Sequence, residues 1–70
     1  MTKLGEYLSL KSVNKAEVAR KTGLSKARLS ELVNKSSAKL RANELFAIAL
    51  AIDVEPVDLL EYTCGELRKK

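Results

Sequence analysis

Eight basic side chains, Lys15, Arg20, Lys21, Lys26, Arg28, Lys35, Lys39 and Arg41, fall within residues 14–41, against only Glu17 and Glu31. That stretch carries +6, residues 1–13 carry +1 and residues 42–70 carry −3, within a total of +4 over 70 residues. Cationic groups gathered in this way raise the local potential and suit a polyanion, whereas evenly scattered lysines only solubilise a surface. Other chemistries have little to work with. The chain has no His, so Ser30 or Cys64 lacks the usual general base, and no cofactor-cradling loop is present. Cys64 has no partner for an intramolecular disulfide, and the common zinc-ligand sets are missing. The chain reads as neither an enzyme nor a metal protein, with no cofactor, and Cys64 as a small apolar residue near a chain end.

The elements that carry these charges must come from one small domain, residues 1–70, because a chain this short buries only roughly 60% of its unfolded surface. With no Trp, one Phe and two Tyr, the core has to be aliphatic, which favours short packed helices. No apolar run approaches the ~18 residues of a membrane span, and Met1, Thr2 and Lys3 lead into no signal-peptide core. The expectation is a cytoplasmic protein with no membrane contact.

Residues 3–11 predict a first helix capped by Thr2, with Leu4, Tyr7 and Leu8 on one face. Asn14 caps a second helix over 15–22, with Glu17 placed for a capping box and Val13 for a hydrophobic staple with Val18. Gly23 ends that helix in the residue best able to adopt positive φ, and Ser25 caps a third over 26–34. A fourth helix over 42–51 presents Leu45, Ile48, Ala49 and Ile52 as an apolar stripe. Phe46 and Leu50 broaden it, which makes this the helix expected to be most buried. Pro56 suits the first position of a fifth helix, and Asp58 complements its dipole. Residues 64–70 are compatible with either extension or fraying of that helix.

Two helices joined by a tight glycine turn are the shape that lays one helix in a DNA groove. At about 100° per residue, Leu29, Leu32 and Val33 define the buried side of the third helix. The exposed face carries Ala27, Arg28, Ser30, Glu31 and Asn34, joined by Lys26, which lies toward the core side in angle but extends outward from the helix start. These are short or hydrogen-bonding groups of the kind that read base edges. Glu31 has a second use, an intrahelical pair with Arg28 or Lys35. The polar run from Lys35 through Ser36 to Lys39 and Arg41 is placed to clasp phosphates.

On Ala19, Gly23 four residues later, the pair Leu29 and Leu32, and the run AIALAIDVEPVDLL at 47–60, the chain resembles the Cro/phage-repressor (XRE) type of helix-turn-helix domain. The resemblance covers residues 4–60, with the motif at 15–34, and implies an all-α, compact five-helix lambda-repressor-like fold. It implies sequence-specific binding of double-stranded DNA by a small transcriptional regulator, a repressor, with helix 26–34 in the major groove. By position it assigns Lys26, Ala27 and Glu31 to base edges, and phosphate contact to Lys15, Lys35, Lys39 and Arg41. Asn14, Arg20 and Ser36 complete the expected phosphate set. Many relatives carry Gln or Asn at several reading positions and Gly where this chain has Lys35. The family's homodimers point to Leu59, Leu60 and Tyr62, residues that alternatively seal the monomer. The alternative function is a protein-interaction module, such as an antitoxin or adaptor, that uses the C-terminal helix.

Overall fold

Capping residues set the helix boundaries in the computed structural model, which describes residues 2–65 and 67. Helix α1 spans Lys3–Leu10, α2 Lys15–Thr22, α3 Lys26–Asn34, α4 Ala42–Ala51 and α5 Pro56–Cys64. No strand occurs among the described residues. Of the closing stretch 64–70, Cys64 ends α5 and Gly65 caps it in the right-handed region, while residues 66 and 68–70 lie outside the described residues.

Each predicted N-cap satisfies donors that a helix start leaves without an intrahelical partner. Thr2 Oγ1 accepts the Gly5 N–H at 3.1 Å, Asn14 Oδ1 accepts those of Ala16 and Glu17 at 2.9 and 3.3 Å, and Ser25 Oγ accepts that of Arg28 at 3.0 Å. The reciprocal half of the box expected at Glu17 is not formed. Its carboxylate turns outward to Arg20, an exposed partner three residues on that offers two N–H groups where the backbone offers one. Gly23 closes α2 at φ +80°, and its N–H returns to the Ala19 carbonyl at 3.0 Å.

Two further helix ends use left-handed residues that are not glycine. After α1, Ser12 has φ 55°, with Ser12 N–H bonded to Ser9 O and Val13 N–H to Leu8 O. After α4, Asp53 has φ 60°, with Asp53 N–H bonded to Leu50 O and Val54 N–H to Ala49 O. Both are Schellman closures, and Val13 and Val54 fold back onto the core as that motif requires. A side chain at positive φ carries steric strain that glycine avoids. Ser12→Gly relieves about 1–2 kcal/mol of strain against an entropic cost of about 0.5–1 kcal/mol, so it should raise stability by a net of about 1 kcal/mol or less, read as a higher urea midpoint at unchanged m-value.

The core is one aliphatic cluster fed by all five helices, with Leu8, Val18, Val33, Ile48 and Leu59 fully enclosed. Helix α1 packs on α3 and α5, α4 on α2 and α5, and α2 on α3. Tyr7 and Tyr62 meet edge to face at 5.0 Å and tie α1 to α5. Thr2 does a second job: its hydroxyl lies 2.7 and 2.9 Å from the Leu32 and Val33 carbonyls, and its N–H donates to Val33 O. Two of the last four carbonyls of α3, which have no partner in their own helix, are thus anchored from α1.

Two expectations for the C-terminal half need correction. Phe46 and Leu50 do not broaden a buried stripe but are 54% and 61% exposed. Helix α4 is apolar nearly all round, yet α2 and α5 cover only the side bearing Leu45, Ile48 and Ala49. Of the three residues considered for a subunit contact, Leu59 is 0% exposed and Tyr62 packs on Tyr7. Both seal the monomer, and Leu60 alone of the three is exposed.

Candidate nucleic-acid interface

Helix α3 is held by Leu29, Leu32 and Val33, all buried, with Ala19 of α2 enclosed beside them. Its other side is open. Ala27, Ser30, Glu31 and Asn34 are exposed, in agreement with the helical angles, and Lys26 is exposed because it stands at the helix start. Lys26, Ser30 and Asn34 line a cleft of about 250 Å³, which Lys15 and Ala16 at the start of α2 complete. The structure therefore brings Lys15 to the same cleft as three of the expected reading residues. Asn34 Nδ2 lies 3.3 Å from Ser30 Oγ, so the two polar groups are already aligned along the helix.

Other residues of the expected set are arranged differently. Asn14 is exposed, but its Oδ1 is engaged in capping α2, which leaves its amide nitrogen as a donor. Arg20 is paired with Glu17 on the solvent side, which lowers the Glu17 pKa and raises that of Arg20. Exposed pairs of this kind are cheaply exchanged for another anion. Lys35, Ser36, Lys39 and Arg41 are exposed on the loop after α3. Ser36 borders a separate hollow of about 470 Å³ with Thr2, Leu40 and Leu60, which shares no residue with the first. Lys35 ends α3 at φ −102°, an ordinary extended conformation, so no glycine is needed at this position.

Arg28, expected on the reading face, points instead to α4. Its Nε and Nη2 donate to the Glu44 carboxylate at 2.9 and 3.0 Å, and Nη2 also donates to the Lys39 carbonyl at 2.8 Å. Glu31 Oε1 lies 3.7 Å from Arg28 Nη1, which realises the intrahelical pair weighed for Glu31. Glu44 is 6% exposed and also accepts the Arg41 backbone N–H at 3.0 Å. The hydrogen bonds from Arg28 hold its carboxyl below the ordinary glutamate range, outweighing the opposing effect of burial. Because the folded-state pKa is depressed, this stabilisation is full above the ordinary value of about 4.3 and is lost as pH falls through the lowered one.

Sequence reading missed Glu44 and the second role of Thr2, its bonds to the end of α3. A signal for Glu44 existed: it stands four and eight residues before Ile48 and Ile52, on the apolar stripe itself. A carboxylate in a buried register requires a basic partner.

This architecture, with a bare helix flanked by cations and braced by a second across a glycine turn, defines a helix-turn-helix protein. Residues 3–65 match the Cro/C1-type HTH DNA-binding domain, and the chain belongs to that family. The resemblance drawn from Ala19, Gly23, Leu29 and Leu32 is thereby borne out, and with it an all-α fold and DNA binding in the setting of transcription regulation. Neither curated proteins nor solved structures gave a match. Among the described residues, no helix is long and apolar enough to cross a membrane.

Proposed function

We propose that the chain is a sequence-specific repressor that lays α3 in the major groove of double-stranded DNA. The observation that carries this reading is the cleft shared by Lys15, Lys26, Ser30 and Asn34 on the uncovered side of α3. Lys26 donates to guanine O6 or N7, Ala27 meets a thymine methyl, Glu31 accepts from cytosine N4, and Ser30 and Asn34 reach either kind of edge. Lys15, Lys35, Lys39 and Arg41 hold phosphates, with Asn14, Arg20 and Ser36 in support. Arg28 leaves the reading set, because withdrawing it would strand the Glu44 charge. Selection from random duplexes should enrich one sequence. About four phosphate contacts per subunit then predict a log–log salt slope near −3.6, roughly twice that for a dimer. No enrichment, or binding indifferent to salt, overturns the reading.

A second reading, an antitoxin- or adaptor-like protein module, draws on the exposed apolar groups Val57 and Leu60 of α5. The same two residues are the best-placed contacts for a homodimer, which would set two reading helices about 34 Å apart. Sedimentation of the purified protein separates these cases. A dimer that binds the selected duplex fits the repressor, and a monomer that selects no duplex fits the module.

A further inference from the structure

We infer that Arg28 and Glu44 form a latch that fixes the phosphate-gripping loop to the reading helix, which makes Arg28 a positioning residue for DNA binding and not a reader of bases. The inference rests on the DNA-binding reading above. Three elements converge on one guanidinium. Arg28 belongs to the first turn of α3, Glu44 to the first turn of α4, and the Lys39 carbonyl to the loop between them. Glu44 closes the circuit by accepting the Arg41 N–H, so both ends of the segment 39–41 are bonded to this pair. Lys39 and Arg41 are thereby held at a set distance from Lys26 and Ser30. The rest of the loop has little else to order it: Ala38 donates to Lys35 O at 3.0 Å, and Ala38 and Leu40 pack partly on the core.

The planar fork of Arg28 suits this work, because Nε and Nη2 span the two carboxylate oxygens while Nη2 also meets a carbonyl. A duplex would have to draw Arg28 away from a carboxylate that is almost wholly enclosed and would be left uncompensated. Lys26 and Lys35 make no ion pair among the described residues and answer a phosphate or base at no such cost.

Two variants test the latch on the duplex that the wild type selects. Glu44→Gln removes a negative charge, so long-range electrostatics alone would tighten binding. Loss of the latch instead predicts about tenfold weaker binding, a salt slope shallower by about 0.9–1.8 from one or two lost phosphate contacts, and an unchanged ranking of base preferences. Arg28→Lys keeps the charge but not the fork and should behave alike. Binding as tight as wild type at the wild-type slope in either folded variant overturns the inference. So does a preference lost at one base pair with the slope intact, which would make Arg28 a reader. Hydrogen exchange in the free protein needs no DNA: the amides of Ala38 and Arg41 should exchange at least tenfold faster in both variants, relative to Ile48 in the same sample. Unchanged relative protection also overturns the latch. A wild type that selects no duplex strikes the DNA-binding reading alone, and the exchange measurement still decides the latch.

Discussion

Leu59→Ala should unfold the protein at room temperature or leave it with a collapsed thermal transition, while Leu60→Ser leaves the melting curve close to wild type. The two residues are adjacent and identical in type, yet one is 0% and the other 48% exposed. Truncating a fully enclosed leucine removes its transfer free energy and leaves a cavity, together about 2–5 kcal/mol. A domain of 70 residues has a total stability of only about 4–10 kcal/mol, so the loss consumes much of it. Leu59 is the buried residue of α5 and belongs to the cluster through which α5 packs on α1 and α4. Leu60→Ser removes surface contact alone. If the chain pairs through α5, Leu60→Ser shifts the sedimentation coefficient toward that of a monomer without loss of helicity. Circular dichroism melts and sedimentation on the same samples check both results. A Leu59→Ala protein as stable as wild type would contradict the core described for α5.

Replacing Lys35, Lys39 and Arg41 together by Gln should weaken DNA binding by about 10²- to 10³-fold at 0.1 M salt, with the log–log slope shallower by about 2.7. The loss should be nearly the same for every duplex, since phosphates carry no sequence information. The substitutions leave the fold intact because all three side chains are exposed. They also keep the latch's hydrogen bonds, because Lys39 and Arg41 enter these through backbone carbonyl and N–H, while the Arg41 charge adds a smaller electrostatic contribution at Glu44. Lys26→Ala should behave in the opposite way, with a smaller loss of affinity but a relaxed preference at one base pair. A titration over several salt concentrations on the selected duplex and on a scrambled one distinguishes the two patterns. A triple variant that keeps the wild-type slope would show that the loop does not grip phosphates.

Features that depend on near neighbours in the chain were legible before any coordinates. Thr2, Asn14 and Ser25 act as caps through bonds to residues two or three positions on, Gly23 acts through its backbone freedom and Pro56 through its fixed φ. The buried side of α3 was legible too, because its apolar residues are few and fall on one arc. Helix α4 defeated the same method: with Phe46 and Leu50 beside Leu45 and Ile48, hydrophobicity cannot say which side a neighbour covers. Leu59 and Leu60 posed the same problem one residue apart. The direction of the Arg28 side chain was hidden for a different reason. Its helical angle places it at the edge of the reading face, and its partner lies 16 residues away on another helix. A side chain that long is aimed by whatever charge it can reach, which a single-helix projection does not contain. Ser12 and Asp53 carry no residue-type signal for positive φ as strong as that of glycine; Schellman closure at these two helix ends imposes it on a serine and an aspartate.

Helix α3 divides its nine residues cleanly. Arg28, Leu29, Leu32 and Val33 bind it to the body, and Lys26, Ala27, Ser30, Glu31 and Asn34 face outward, their side chains bonded among the described residues only to one another or to Arg28. Mutations at those five positions are therefore nearly neutral for folding. Under the DNA-reading role proposed for those positions, a gene duplicate could drift through many alphabets of recognition without passing through an unfolded ancestor, and an engineer could graft a new one in a single step.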